Sequence, residues 1–290
     1  MRKTIFVLSG LFLALGVTAF RMLPAYQLFD RDGNIVAYEE LLATAAEADV
    51  VLFGELHNNS MVHWLQRQLT EDLAHGQRPL VLGAEMFETD DQLLLDEFLG
   101  GVILEKDFEK ESKLWPNYAT DYKPMVTTAK EEGLPFIGTN VPRRYAALVS
   151  RQGLEALNDL PTEAQALCAP LPITIDYELP SYKAMIEMMG DHMGGMDPRF
   201  FVQAQALKDA TMADRILAYW EPGTTFLHYN GTYHSKDFEG ISWYLKQTNP
   251  DLKIVTIHSV EQASLAQCEE EYKGTAHFVL AVPENMSKSY

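Results

Sequence analysis

Apolar residues recur along this chain in two rhythms. Compact runs at 50–53, 79–82, 135–137, 223–227, 253–257 and 277–281 have the length and side-chain type of buried strands. Between them, apolar positions fall three and four apart. Residues 59–75 carry Val62, Leu65, Leu69 and Leu73 on one face and polar side chains on the other, which predicts a helix. Residues 39–46, 90–99, 142–152 and 240–247 read as further helices, with Gly100-Gly101 stopping the second of these. Near the start, Asp32-Gly33 lies between two short β-type runs, 26–29 and 34–38, and predicts a hairpin.

Strands alternate with helices at both ends of the chain. That alternation predicts an α/β fold, a mostly parallel central sheet with helices on both faces. The middle differs, because residues 152–220 carry helical patterns and no strand pattern. The organisation expected is a core made of residues 24–151 and 221–284, with 152–220 inserted as a helical lid. In that lid, residues 200–219 form the strongest helical pattern and place Gln205, Asp209, Met212 and Ile216 on one face. An Asp on a half-apolar face calls for a partner such as a strand-end His or Asn. Earlier in the lid, Met185, Met188, Met189, Met193 and Met196 crowd around His192. Methionine fills irregular gaps, so this stretch is either a pliable core seam or an adaptable apolar surface for a flat ligand or a partner.

Charge and composition narrow the function. Of 290 residues 47% are hydrophobic and 22% charged, with a net charge of -18, and no basic field is available for nucleic acid. Arg143-Arg144 is the one tight basic pair able to make a local positive pocket. At the N-terminus, Arg2 and Lys3 precede an apolar run at 4–17, and Val17-Thr18-Ala19 fits a small-residue cleavage site. Residues 1–19 therefore read as a signal peptide of an exported protein, with a retained anchor as the alternative. An exported chain can oxidise Cys168 and Cys268, and whether they pair is open at this level.

Parallel sheets bind ligands beyond the carboxyl ends of their strands. The residues just after each strand run are therefore informative. They are Gly54-Glu55-Leu56-His57, then Gly83-Ala84-Glu85, then Gly138-Thr139-Asn140, then His228-Tyr229-Asn230-Gly231-Thr232-Tyr233-His234. Singly, each residue has a plain structural reading. Glu55 can cap a helix, Glu85 can sit in an internal ion pair, and each His can be a satisfied loop residue. Together, His57, His228, His234 and Glu85 are a set able to hold a divalent metal, and Glu55, His57, Glu85 and His234 a set able to relay a proton in hydrolysis. The sequence lacks an HExxH helix, a GxSxG elbow and a glycine-rich phosphate loop, which removes support for zincins, α/β-hydrolase serines and nucleotide sites.

Gly54-Glu55-Leu56-His57, Gly83-Ala84-Glu85-Met86-Phe87, Gln203-Ala204-Gln205 running to Asp209-Ala210-Thr211-Met212-Ala213, and Gly231-Thr232-Tyr233-His234 resemble the ChaN family. These are bacterial exported haem-binding proteins associated with iron uptake, within a wider group with Tiki proteases, TraB-like proteins and erythromycin esterases. Two Gly-x-x-His motifs and an intervening Glu mark the group. The resemblance implies an α/β core with a helical lid, haem as ligand, and a periplasmic or envelope location. It further implies pairing of two chains on ligand binding and service to an outer-membrane haem transport system. The chain departs from the family in lacking a lipidated Cys after its apolar leader. Haem ligation in the family is not a short readable motif, so the iron ligand is chosen by chemistry: Tyr oxygen or His nitrogen. Tyr177 and Tyr182 ahead of the Met-rich stretch, His192 within it and Tyr233 in the second motif are the candidates, with Met189 and Met193 beside the macrocycle. The other function the strand-end cluster supports is a metal-dependent hydrolase of peptides or esters.

Overall fold

The computed structural model describes residues 23–190 and 197–290. The proposed signal peptide, His192, Met193 and Met196 lie outside the described residues. Among the described residues eight strands form one sheet: β1 (Gln27–Asp30), β2 (Ile35–Val36), β3 (Val50–Glu55), β4 (Leu80–Glu88), β5 (Phe136–Asn140), β6 (Thr225–Gly231), β7 (Ile254–Gln262) and β8 (Phe278–Pro283). Their order is β2-β1-β8-β7-β3-β6-β4-β5. Every pairing from β8 to β5 is parallel, while the expected hairpin, β1 with β2, adds antiparallel to the edge at β8. The α/β architecture read from the sequence is the one found.

The helices are α1 (Tyr38–Ala46), α2 (Ser60–Ala74), α3 (Gln92–Leu99), α4 (Glu105–Glu111), α5 (Lys123–Glu132), α6 (Arg143–Gln152), α7 (Thr162–Gln165), α8 (Pro180–Gly190), α9 (Arg199–Tyr219) and α10 (Ile241–Thr248). Alternation along each strand sorts them. Val51 and Phe53 of β3 pack into the core that α2 and α5 cover, with Leu65, Leu69 and Val126. Val50 and Leu52 point the other way, against Met212, Ala213 and Ile216 of α9 and Leu245 of α10. Both faces are thus buried, which is why the strands read as unbroken apolar runs. Asn59 caps α2 by accepting from the backbone of Met61 and Val62 at 3.1 and 3.3 Å, worth about 1 kcal/mol.

Two features differ from the sequence reading. The strands run further: β3 includes Gly54 and Glu55, β4 includes Glu85, and β6 includes His228 and Asn230. Gly54 pairs with both Asn230 and His258, so ladder bonds carry the chain through a stretch whose composition looks like loop. The second difference concerns α9. Its first turns lie in the segment assigned to a lid, but Met212, Ala213 and Ile216 pack on the sheet, so its second half is the crossover layer between β5 and β6. Residues 152–220 contain no strand among the described residues. Cys168 and Cys268 are free and buried in separate clusters, so they do not pair.

Candidate ligand-binding site

The carboxyl ends of β3, β4 and β6 bring the two Gly-x-x-His motifs and Glu85 to one edge of the sheet. Glu55, the last residue of β3, is fully buried and saturated with donors. Its Oε1 takes hydrogen bonds from Tyr122 Oη and His57 Nδ1, both at 2.8 Å, and its Oε2 takes one from Gln66 Nε2 at 2.7 Å. Burial alone would raise its pKa. The neighbouring His63 and the hydrogen bond from His57 outweigh that and hold it below the usual carboxylate value. His57 responds in kind. Burial works against its charge, yet the Glu55 carboxylate raises its pKa above the ordinary imidazole value. The loop holding His57 is fastened through its carbonyl, which accepts from Asn117 Nδ2 at 2.7 Å and lies 3.1 Å from His63 Nε2. The Trp115 ring packs against the imidazole with centroids 4.9 Å apart.

The second motif ends in a buried charge sandwich. His234 Nδ1 lies 2.5 Å from Asp209 Oδ1 and its Nε2 lies 3.1 Å from Glu85 Oε1. The partner that the half-apolar face of α9 called for is therefore this strand-end histidine. Burial opposes the imidazolium, but Glu85 and Asp209 push the His234 pKa up to about 10. Glu85 is correspondingly driven well below the carboxylate range, by His234 and by the 2.7 Å hydrogen bond it accepts from the Gly231 backbone, against the pull of burial. Asp209 is raised by its own burial, despite His234 and the hydrogen bond that Tyr182 Oη donates to it at 3.0 Å.

The glycine of each motif is set by contact. A Cβ on Gly231 would fall 2.7 Å from His57 Nε2, so only glycine lets the first histidine lie against the second loop. A Cβ on Gly54 would fall 2.7 Å from the Ile257 carbonyl oxygen and 3.0 Å from Thr232 Cα, both backbone atoms that have no room to give.

Around this edge opens a cavity of about 1040 Å³. Its polar floor includes Glu55, His57, Glu85 and His234. Its apolar walls come from Trp115, Met185, Met188 and Phe201, and Arg143, Lys208 and Lys236 supply positive charge. Arg143 and Lys208 make no salt bridge among the described residues, whereas the adjacent Arg144 is taken by Asp90 at 2.6 Å. Asn140 and Thr232 also line the cavity, and Oδ1 of the first and Oγ1 of the second are buried without a hydrogen-bond partner among the described residues.

Of the predicted cofactor contacts, Tyr233 lies in the cavity wall, 64% exposed, with Lys236 Nζ 4.4 Å from its ring centroid. Tyr182 is turned away from the cavity: its ring is buried against Val202 and Ala206 and its hydroxyl is spent on Asp209. Tyr177 packs with the same cluster and accepts from Gln203 at 2.9 Å. Met189 is half-buried and does not line the cavity, where Met185 and Met188 do. His228 is corrected as a metal ligand, since Thr139 engages its Nε2 at 2.7 Å and Asn230 its Nδ1 at 3.1 Å. Burial lowers its pKa to about 4, so it is a neutral, fully bonded core residue. No group of three or more His, Cys, Asp or Glu among the described residues is arranged to hold a metal ion. Sequence reasoning missed Trp115, Phe201, Lys208 and Lys236. They come from three separate segments, Phe201 and Lys208 sharing α9, with no common motif, and only the fold gathers them.

The fold is that of a mostly parallel α/β protein with a cavity at its strand ends. The sequence profile of the family described as "Haem-binding uptake, Tiki superfamily, ChaN" matches residues 41–245, and the chain belongs to that family. Among solved structures it is similar to ChaN of Campylobacter jejuni, described as binding haem cofacially, at 18% identity and a TM-score of 0.66, covering 88% of this chain and 96% of that one. A Bacillus cereus protein matches at 10% identity and a TM-score of 0.50, covering 84% of this chain and 90% of the other. The erythromycin esterase EreC, in its open conformation, matches at 13% identity and a TM-score of 0.47, covering 89% and 83%. No protein of curated function matches in sequence.

Proposed function

We propose that this chain is an exported haem-binding protein of haem and iron uptake, and that it holds haem between the strand ends and the wall made by α8 and α9. The observation that carries the reading is the cavity's division of labour. Haem presents a flat apolar macrocycle, two carboxylates and an iron that accepts a tyrosine oxygen. Met185, Met188, Phe201 and Trp115 suit the macrocycle, and Arg143 and Lys208 suit the carboxylates in a protein otherwise strongly acidic. Of the tyrosines named from the sequence, Tyr233 is the one that faces this space, with Lys236 Nζ 4.4 Å from its ring centroid. Bound iron would bring redox and ligand-exchange chemistry. The chain's part is to orient the macrocycle and exclude water.

Met188, Phe201 and Tyr233 leave much of their surface at the mouth, and a second copy of the chain covering that rim would complete the enclosure. Delivery by or to an outer-membrane haem transport system belongs to the same reading. The metal-dependent hydrolase has less support. A metal takes a neutral imidazole lone pair, and in His234 both nitrogens already face carboxylates.

Titrating haemin into the purified protein and following the Soret band tests the proposal. Saturable binding with a tyrosinate-type spectrum is expected, and Tyr233→Phe is expected to shift the spectrum and weaken binding. Weak, nonsaturable association would overturn the haem reading. A Tyr233→Phe spectrum identical to that of the parent would overturn the choice of ligand.

A further inference from the structure

Lys288 and Tyr290 of the segment 286–290 contribute to this cavity although they lie well beyond the stretch that the family profile matches. The segment runs antiparallel beside the residue that caps α2, with Lys288 paired to Asn59. The Ser289 backbone donates to the Asn58 carbonyl at 2.9 Å, and Asn58 Nδ2 donates to the Tyr290 carbonyl at 3.4 Å. Ser289 Oγ donates to Asp121 Oδ2 at 2.5 Å. Lys288 is ion-paired with Glu261 at the end of β7. Lys288 and Tyr290 line the cavity, and the Tyr290 side chain is 62% exposed there.

These contacts connect the segment to the floor of the site. Asp121 also accepts from Asn117 Nδ2 at 2.7 Å, and the same Asn117 nitrogen donates to the His57 carbonyl at 2.7 Å. Ser289, Asp121, Asn117 and His57 therefore form one hydrogen-bonded chain from the segment to the first Gly-x-x-His loop. The attachment is light by comparison with the sheet. It consists of one isolated bridge, a few hydrogen bonds and an ion pair, and Ser287, Lys288 and Tyr290 are exposed. A segment held this way opens locally at far lower free energy than a strand with two neighbours.

We infer that residues 286–290 form a strap, a further wall of the ligand site in which Tyr290 packs against the bound macrocycle and whose unpairing from residues 58–59 sets the rate at which ligand leaves. The inference rests on the haem reading of the cavity. Tyr290 acts through its ring face, which is apolar on both sides and matches a porphyrin edge. Ser289 acts as a positioning residue, because it touches Asp121 and lies in the bonded chain to His57.

The test uses the full chain loaded with haemin, with release followed by transfer to an excess of an apoprotein acceptor. Wild type is measured first, and failure to load it would overturn the haem reading and the strap with it. With loading established, Ser289→Ala and Tyr290→Ala are each expected to raise the release rate about 5- to 10-fold, the equivalent of one lost hydrogen bond or ring contact. Tyr290→Phe is expected to keep the parental rate. The melting temperature of the unloaded variants is expected to stay within a degree or two of the parent, which separates strap opening from general destabilisation. Release rates equal to wild type in both Ser289→Ala and Tyr290→Ala would overturn the strap alone. So would a Tyr290→Phe rate as fast as Tyr290→Ala, because that would make the hydroxyl, and not the ring, the retaining group.

Discussion

Replacing His234 by Ala strips the positive charge from between two carboxylates that have almost no access to water. Glu85 is 4% exposed and Asp209 1% exposed. In the native protein each carboxylate has His234 within 3.1 Å, and among the described residues the hydrogen bond left to Glu85 once the imidazole is gone is that from the Gly231 amide, and to Asp209 that from the Tyr182 hydroxyl. Removing one partner from a buried ionic group leaves an uncompensated charge and costs about 3–5 kcal/mol. With a urea m-value of about 3 kcal/mol/M, the unfolding midpoint falls by roughly 1–2 M. The pH dependence sharpens the test. His234 is raised to about 10 in the folded protein, so its contribution is complete below the ordinary imidazole pKa and is lost as pH rises toward 10. In the variant the stranded carboxylates are raised by burial, and protonating them on going from pH 7 to pH 5 relieves the folded state. The gap between variant and parent therefore narrows toward pH 5. Adding Asp209→Asn to His234→Ala removes one stranded charge and is expected to recover part of the loss at pH 7. Urea titrations read by tryptophan fluorescence measure all of this. A midpoint shift equivalent to less than 1 kcal/mol, or a gap of the same size at pH 5 and pH 7, would refute the charge-sandwich account.

Gly54→Ala places a methyl against the Ile257 carbonyl and Thr232 backbone, and overpacking of this kind is expected to cost about 1–3 kcal/mol in the same urea assay. A neutral outcome would mean that the strands part more easily than their pairing suggests. His57 is expected to titrate above the ordinary imidazole value by NMR, and Glu55→Gln to bring it down, because the ionised carboxylate is what keeps the proton on the imidazole. The His57 contribution to stability is thus fully present below the ordinary imidazole pKa and is lost at higher pH, and an unchanged titration in Glu55→Gln would count against that pairing.

The fold and the polar half of the site were readable because both obey short-range rules. Unbroken apolar runs located the six parallel strands, and helical patterns located α1, α2, α3, α6, α9 and α10. The strand ends were placed too early for one physical reason. Gly54, Glu55, Gly83, His228 and Asn230 have the composition of loops, yet ladder bonds to neighbours distant in sequence hold them extended, and Glu85 follows in the irregular stretch of β4 between Ala84 and Glu88. The helices between β4 and β5 beyond α3 were not read, since α4 is short and charged and α5 is entered through a π-type turn at Tyr118–Tyr122. The aromatic choice failed at Tyr182 because burial is a tertiary property. Its neighbours on α8 are Ser181, Lys183, Ala184, Met185 and Ile186, and nothing local distinguishes a phenol facing a cavity from one bonded to Asp209 on the next helix.

The cavity has two halves of unequal rigidity. Glu55 and Gly231 are paired with each other in the ladder between β3 and β6, and Glu85 directly follows Ala84, the last β4 residue paired with β6, so a change of register there would displace all three. Met185, Met188 and Phe201 sit on helices that meet the cavity only by side-chain contact. Exchanging these three alters the size and shape of the opening without touching a ladder bond. The same floor can therefore be roofed for different cargoes, and variants selected for a new ligand should accumulate on α8 and the first turns of α9 while the strand-borne groups stay as they are.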